Sequence, residues 1–538
     1  MAISLTKVGL RRPDRWDPAV GHPRRRAILA VLCLSLLIVV IDNTVLNTAL
    51  PTLARDLHAG TSGLQWVVDA YSLAFASLLV TAGALGDRFG RRRALNLGLA
   101  VFALGSLAAA FAPSAGMLIA DRVVMGIGAA FVMPSTLSIL NAVFPPSERP
   151  RAIAAWSAVA GVGIVIGPTL GGALLSQFSW GSIFLVNVPF VALALLGVAR
   201  VVPETVERTT GRLDVAGTLL SAAGLLAVVD AIIEAPSRGW GAPVTLVELA
   251  AGLGLIAAFV LWELRTSHPL IDIRVFANRA FSAASASVTV IFFSLFGSLF
   301  ALTQYLQLVH GYSPLSAGVR ALPFALAMGA ASPLSTALAS RLGTRWVVAA
   351  GLALMGLGLL ALSTAGVDTP YPPLAAYVAV MGAGMGLVMA PASTTIMASV
   401  PPEQAGAGSA VNDTVREVGG ALGVAIIGSL VSGLYGHRMS DLLSAHHAPE
   451  ALNHAASGSV AAADLIGQRV GGVPGSEIVG AAHSAFTSAM GGGMKLAAGV
   501  ALVGAIGCLV ALPSRRRGGL AALVVGGSEP QVATASAA

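Results

Sequence analysis

Six charged residues stand inside otherwise apolar stretches: Asp42, Asp69, Arg122, Asp413, Arg416 and Glu417. A charge at the centre of a membrane span costs roughly 2.5–3.5 kcal/mol on insertion scales, so such residues face a cavity or a partner. At 1.5 Å per helical residue, Asp42 lies ~22 Å, Arg122 ~20 Å and Asp69 ~24 Å above one boundary of their spans, in one shared layer. Desolvation favours the protonated form of a carboxyl group and a nearby guanidinium favours the ionised form, so a change of surroundings moves a proton. The chemistry this permits is proton exchange, with Arg122 paired to Asp42 or to Asp69 and one carboxylate loading and releasing the proton. A static buried ion pair that fixes helix packing is the other reading of the same residues. Asp413, Arg416 and Glu417 have i,i+3 and i,i+4 spacing and share one helix face. A local Asp413–Arg416 pair and a second proton or substrate site are both open there.

The elements that carry these residues follow from composition. Of 538 residues, 11% are charged and 56% hydrophobic, against about 25% charged in a soluble protein. That excludes a soluble enzyme, a nucleic-acid-binding domain and a disordered scaffold. The fold class is an all-α polytopic membrane protein. Apolar runs long enough to cross the bilayer, about fourteen of them, begin near residues 27, 65, 94, 116, 153, 180, 214, 243, 280, 314, 345, 372, 405 and 494. The first exceeds the ~7–15-residue core of a cleaved signal and is read as a span. With the N-terminus placed in the cytoplasm, most of the 32 Lys and Arg residues fall on that side, among them Arg24, Arg25, Arg26, Arg149, Arg151, Arg341 and Arg515. The positive-inside bias then implies an even span count, a cell-membrane location and two cytoplasmic termini.

Two segments echo one another. Gly86–Arg92 aligns with Ala339–Arg345, and Met125–Thr136 with Met381–Thr394, at offsets of 253 and 256 residues. Six spans per half with two inserted spans explain the offset, as expected of transporters built from repeats. The expected organisation is a cytoplasmic segment at 1–26, an N-terminal six-helix bundle at 27–201, a linker with two extra helices at 202–279 and a C-terminal six-helix bundle at 280–513. The last contains an external loop at 433–493, and 514–538 forms a disordered cytoplasmic tail.

The loop from Gly83 to Arg93 joins the second and third spans. Gly83 and Gly90 permit a tight turn, Asp87 can pair locally, and Arg88, Arg91 and Arg92 can bridge to neighbouring helix ends. The loop reads as a gate or, more plainly, as topogenic charge. In GIVIGPTLGG, Pro168 removes a helical hydrogen bond while Gly163, Gly167, Gly171 and Gly172 admit a close neighbour, which suits either a bending interface or ordinary glycine-mediated packing.

G-x-L-x-D-R-x-G-R-R in this loop resembles the signature of the major facilitator superfamily. DNTVLNTALP (Asp42 to Pro51), RVVMGIGAA (Arg122 to Ala130) and GIVIGPTLGG (Gly163 to Gly172) resemble the first-, fourth- and fifth-helix motifs of its fourteen-span drug:proton antiporter branch. QYLQLVHGYSPLSAG (Gln304 to Gly318) and GSAVNDTVREVGGALG (Gly408 to Gly423) extend the likeness into the second half. Gly181-Ser182 after Trp180, and Asp121 beside Arg122, depart from the pattern. The resemblance implies two pseudo-symmetric bundles (6+2+6) around a central cavity. It also implies proton-driven export of hydrophobic or amphipathic compounds such as antibiotics, polyketides like tetracenomycin included, and hence resistance. Trp66, Tyr71, Phe75, Phe131, Gln304, Tyr305 and Gln307 are candidates for lining the cavity. An importer or a lipid or siderophore transporter of the same fold is the alternative, and a polytopic membrane enzyme lacks the loops to build a site.

The expected partners are the small hydrophobic substrate, protons and the lipid bilayer. Nucleic acid is excluded because the basic residues sit between apolar runs, and ATP because no GxxxxGK[ST] loop occurs. No cofactor or metal is expected. Cys33 and Cys508 read as two buried thiols. His437, His446, His447, His454 and His483 lack metal-ligand spacing and read as parts of a solvated loop.

Overall fold

The computed structural model describes residues 20–205, 214–400, 405–445 and 449–512. The expected N-terminal segment, the tail, His446 and His447 fall wholly or largely outside them. The first bundle comprises α1 (Arg25–Asp56), α2 (Thr61–Phe89), α3 (Arg91–Ala109), α4 (Ala115–Val143), α5 (Arg149–Gln177), the short α6 (Ser182–Leu185) and α7 (Asn187–Val201). An intervening hairpin, α8 (Val215–Arg238) and α9 (Pro243–Arg265), precedes the second bundle. That bundle is α10 (Arg279–Gln304), α11 (Pro314–Arg320), α12 (Leu322–Leu342), α13 (Thr344–Leu362), α14 (Tyr371–Ala398) and α15 (Ala405–Ala445), then α16 (Glu450–Gly458), α17 (Val460–Val470) and α18 (Gly472–Ala511). Among the described residues, twelve segments are long and apolar enough to cross a membrane. The chain is an all-helical, multi-pass membrane protein.

Glycines set the packing, and they do so twice. A Cβ at Gly128 on α4 would lie 2.6 Å from the Phe102 nitrogen on α3, and one at Gly384 on α14 would lie 2.6 Å from the Gly351 oxygen on α13. Gly126 and Gly382 press in the same way on backbone carbonyls of α2 and α12. Backbones can meet this closely only without side chains between them. Gly90 and Gly343 take φ values of 118° and 95°, end α2 and α12, and launch α3 and α13 at once. A non-glycine residue is strained at such φ. The internal echo in the sequence is thus an echo in packing.

We call the end of the bundles near the α1–α2 turn the upper face and the Gly90 end the lower face. Bonds that bridge the halves gather toward the upper face. Gln65 on α2 donates to the Val424 and Ala425 carbonyls of α15 at 3.1 and 3.0 Å, and Gln307 donates to the Thr48 carbonyl at 2.7 Å. Gly172 meets the backbone of Pro314 and Leu315, and Gly318 meets that of Pro168 and Thr169. The hairpin lies along the α2–α15 seam, where Ser429 donates to the Ile232 carbonyl at 2.6 Å and Thr81 bonds Thr218 at 2.6 Å.

The segment at 433–493, expected as a loop with short helical pieces, is helical among the described residues except at the breaks at Pro449, Ser459 and Gly471. α15 and α18 run to 41 and 40 residues, about 60 Å of helix against ~30 Å of hydrocarbon. Ala, Gly and Ser suggested a loop, but long helices with tertiary partners tolerate them. α16 and α17 pack on these extensions, Tyr435 donating to the Ala456 carbonyl at 2.8 Å. Thr61 of the first bundle donates to the Gly458 carbonyl at 3.3 Å.

The upper contact yields a first prediction. A Cβ at Gly172 would fall 2.5 Å from the Leu315 Cα and the Pro314 oxygen, so Gly172→Leu forces α5 and α11 apart. Maleimide labelling of a Thr48→Cys reporter should accelerate by about tenfold relative to the glycine parent, as a population shift toward an open upper face requires. Unchanged labelling would show that this contact does not close the face.

Candidate functional site

Arg122 is completely buried. α4 points it at α1, where Nη1 lies 2.5 Å from Asp42 Oδ2. Its Nε donates to the Val67 carbonyl of α2 at 3.1 Å, and its Cζ lies 4.2 Å from the centroid of the Tyr71 ring. The second Asp42 oxygen accepts from Asn187 Nδ2 of α7 at 2.9 Å. Asn187 also donates to Ser106 Oγ on α3, and Ser106 donates to the Phe184 carbonyl. A charge-assisted pair with further hydrogen bonds to its atoms is how a buried charge offsets its desolvation, although Arg122 Nη2 has no hydrogen-bond partner among the described residues. Of the two acids open as partners, Asp42 takes the guanidinium. Asp69 is 1% exposed, and among the described residues neither of its carboxyl oxygens has a hydrogen-bond partner.

Across the cavity, α15 carries the second charged group. Arg416 Nη1 lies 3.4 Å from Asp413 Oδ1, and Nη2 donates to Ser393 Oγ on α14 at 3.3 Å. Its Cζ stands 5.8 Å from the Phe292 ring centroid. Glu417 faces Ser72 of α2. The i,i+3 spacing brings Asp413 and Arg416 together, while Glu417 stands toward the other half of the molecule.

An apolar pocket lies beneath the upper contacts. Phe292, Leu295, Phe296, Leu299 and Leu302 of α10 form one wall. Thr44 and Pro168 face them from the first bundle, and Phe324 and Met381 complete the lining from the second. None of the expected cavity residues lines this pocket. Trp66 packs against the α8 cluster, Tyr71 under Arg122, Phe75 beside Tyr71, and Phe131 against Gly98 of α3. Gln304 donates to its own helix, Tyr305 donates to the Gly366 carbonyl, and Gln307 bridges to α1. In the fifth-helix motif, Gly163 packs on Val40, Gly171 on Val45, and a Cβ at Gly167 would overlap the Thr44 hydroxyl. The glycines therefore hold α5 against α1 at the pocket wall.

The basic loop is latched by a residue the sequence reading passed over. Asp87 pairs with Arg91 at 2.6 Å, and Arg88 lies over Phe89. Glu204, just beyond α7, accepts from the Arg92 backbone N–H at 3.2 Å and lies 3.7 Å from Arg93. A Cβ at Gly90 would strike the Glu204 carboxylate at 2.5 Å, and Arg92 donates to the Ala199 carbonyl at 2.9 Å. Burial pushes the Glu204 carboxyl above its ordinary value, while the Arg92 N–H and the Arg93 and Arg92 guanidinium groups pull it back. In Val202–Glu204, a lone acid just after a span was the available signal for Glu204. For Asn187 it was an amide inside an apolar run.

Among the described residues no cluster of His, Cys, Asp and Glu could hold a metal ion. His483 and Asp464 pair at 3.0 Å, and His437 stands by Asp441.

Residues 32–424 match the model of the Major Facilitator Superfamily. The chain belongs to this family. It is a transporter, not an enzyme. The multidrug resistance protein Stp of Mycobacterium tuberculosis is 38% identical over 74% of this chain and 74% of its own length. The tetracenomycin C resistance and export protein of Streptomyces glaucescens is 34% identical, covering 91% of this chain and 92% of that protein. The multidrug efflux pump LfrA of Mycolicibacterium smegmatis is 36% identical over 89% and 94%. In fold the chain is similar to a bacterial homolog of the human lysosomal transporter Spinster, crystallised inward-facing and unoccupied, with a TM-score of 0.63 at 18% identity over 92% of this chain and 99% of that one.

Two predictions follow from the geometry. Asp42→Asn leaves Arg122 buried without a counter-charge and should cost about 3–5 kcal/mol of stability. Adding Arg122→Met should restore much of it, read as thermal unfolding in detergent; additive losses would show that the pair is not coupled. At the loop, Glu204 holds its arginines while ionised, and its raised pKa means that falling pH releases them above the ~4.3 of an ordinary glutamate. Hydrogen exchange over 88–95 should rise on acidification with that higher midpoint, and Glu204→Gln should exchange fast throughout. A pH-independent wild type would contradict the latch.

Proposed function

We propose that this transporter is a proton-coupled exporter of hydrophobic and amphipathic compounds, antibiotics among them, acting in the cell membrane without ATP. The observation that carries the reading is the buried Arg122–Asp42 pair, together with a buried, unpartnered Asp69 on α2 and an apolar pocket between the halves. The names of the relatives, resistance and efflux proteins, support the export direction. We count α3, whose first turn is basic, and α5, which carries an uncharged apolar stretch at 154–171, as two further spans beside the twelve apolar segments. Fourteen spans fit a 6+2+6 arrangement of the drug:proton antiporter type. The upper face is external and both termini are cytoplasmic, because the arginine-rich ends lie at the lower face.

In this reading Asp42 is the fixed partner of Arg122, held in place by Asn187. Asp69 has no counter-ion, so a proton balances its charge when the layer is sealed. Asp413, Arg416 and Glu417 form the corresponding group of the second half, and Glu417, facing Ser72, sets that group at the closure of α15 on α2. The Gly83–Arg92 segment, expected as a loop but formed by the end of α2, the Gly90 turn and the start of α3, is the cytoplasmic gate with Asp87, Arg88, Gly90 and Arg91. The motif around Gly167 and Pro168 is the bending wall of the pocket.

Everted membrane vesicles test this. A proton gradient, acid inside, should load them with substrate, and an uncoupler should abolish loading. Asp69→Asn should lower gradient-driven loading by about 10²-fold, the scale of a lost proton-transfer group, with substrate binding retained. Gly167→Leu should stop export without preventing folding. Full gradient-driven transport by both Asp42→Asn and Asp69→Asn would refute proton coupling here, and loading of right-side-out vesicles alone would identify an importer.

A further inference from the structure

The intervening hairpin carries a pair of acids that neither bundle uses. Asp214 caps the start of α8, and Glu263 stands in the last turn of α9. Glu263 is 3% exposed, and its Oε1 has no hydrogen-bond partner among the described residues. That oxygen is aimed at Asp214: a Cβ at Gly217 would overlap it and would also lie 2.6 Å from Asp214 Oδ2. Two carboxyl oxygens therefore share the space above one glycine. Ionised together, they would be two like charges facing each other out of water, the arrangement that forces one of a pair of acids to keep its proton.

The surroundings decide what joins them. Asp214 accepts from the Gly217 N–H at 2.8 Å and, through both oxygens, from the Trp262 indole N–H at 2.9 and 3.0 Å. Glu263 Oε2 accepts from the Ile271 N–H at 3.0 Å. These donors turn positive ends toward the carboxyl groups and supply no oxygen ligand, whereas a bound Ca²⁺ or Mg²⁺ takes about six or more oxygens. A proton needs only two. With more donors on Asp214, the proton belongs on Glu263, whose Oε1 then donates to Asp214. No neighbouring charge competes for the pair. Arg274 donates to the Leu264 carbonyl, Asp272 accepts from the Arg274 N–H, and Arg265 and His268 are exposed. From α2, Asp87 is paired with Arg91, and Arg88 lies over Phe89.

The pair sits where three parts of the chain meet. Ile271 opens the connector to the second bundle, and that connector moves with α10: Phe276 meets Phe281 edge-on at 5.1 Å, and the Ser282 hydroxyl donates to the Phe276 carbonyl. On the other side, Thr218 donates to the Asp214 carbonyl at 2.8 Å and bonds Thr81 of α2.

We propose that Asp214 and Glu263 hold one proton between them, and that this proton clasps the lower end of α10 to the hairpin until alkaline pH removes it. The clasp is independent of export; that it faces the cytoplasm rests on the topology proposed above. Without the proton the two carboxylates repel, and Glu263 leaves its place and gives up the Ile271 N–H. The closed clasp binds one proton more than the open one, so the open fraction rises with pH, by up to about tenfold per unit once the proton begins to leave.

The test uses the full-length protein in detergent. Hydrogen exchange over 266–274, corrected for the intrinsic rate of an unstructured peptide, should be slow at about pH 6 and rise toward about pH 9 by up to about tenfold per unit. Glu263→Gln donates an amide to Asp214 in place of the proton and should stay slow throughout. Asp214→Asn keeps the helix cap and donates to an ionised Glu263, so it should stay slow as well. Infrared difference spectra, wild type minus either variant, should show the carbonyl stretch of a protonated carboxylic acid at about pH 6 that fades as exchange rises. Wild-type exchange that does not change with pH overturns the proposal, and so does the absence of that band. Slow exchange restored at about pH 9 by Na⁺ or K⁺, against choline at equal ionic strength, overturns it too and makes the pair a metal-ion site. If one variant does not fold, the other serves as the reference for both measurements.

Discussion

A guanidinium with no solvent exposure in the middle of a helical bundle must be neutralised where it stands, and much of the first bundle is organised around that need. Arg122 projects from α4, takes its counter-charge from α1, spends its Nε on a carbonyl of α2, and rests on an aromatic ring of the same helix. The other Asp42 oxygen draws in α7 through Asn187, and Asn187 draws in α3 through Ser106. Five helices thus converge on one ion pair. A buried pair of this kind is weak evidence for stability in itself. Its value lies in register, because sliding any of the five helices by a turn leaves a charge or an amide unpaired at several kcal/mol. Asp69 on α2 differs in that neither of its carboxyl oxygens has a hydrogen-bond partner among the described residues.

Close backbone approach is the second constraint, and it explains why the two halves repeat each other despite differing sequences. Gly126 and Gly128 on α4 match Gly382 and Gly384 on α14, and in both halves they let a helix seat directly on two neighbours. Lipid offers no hydrophobic drive for helices to associate, so tight packing by small residues has to supply it. The ion pair is not repeated in this way. Its counterpart layer in the second half carries Asp413, Arg416 and Glu417 on a single helix, where Arg416 pairs with Asp413 and donates to Ser393 of α14 while Glu417 faces Ser72 of α2. One half therefore spreads its pair over several helices, whereas the other gathers its charges on one.

Much of this was legible in the chain, for identifiable reasons. Long apolar runs announce membrane helices because the bilayer forbids an unpaired backbone. Helix depth, at 1.5 Å per residue, placed Asp42 and Arg122 in one layer, and the pair formed. Depth could not say which way each side chain turns about its helix axis. Asp42 and Asp69 were therefore indistinguishable, and Tyr71 and Phe75 looked like cavity residues although they pack beneath Arg122 and against each other. The pocket instead fell to Phe292, Phe296 and Leu299, ordinary apolar residues that only the meeting of α1, α5, α10, α12 and α14 distinguishes. Composition suggested short helical pieces within 433–493, as α16 and α17 are, but not that α15 and α18 extend so far into it, which tertiary partners such as Tyr435 with the Ala456 carbonyl support.

The hairpin α8–α9 gains a physical role from where it lies. The α2–α15 seam joins the halves through Gln65, and Glu417 faces Ser72 across the same seam. α8 covers it from the side, bonding Ser429 of one half and, through Thr218, Thr81 of the other. A helix anchored to both halves along one seam resists their separation there and leaves the α5–α11 seam, built from bare backbone contacts at Gly172 and Gly318, as the weaker side. Motion between halves with one seam tied and the other not is a hinge rather than a symmetric rocking. The pocket wall at Pro168 lies on the untied side, where occupancy of the pocket and opening of the upper face act on the same stretch of α5.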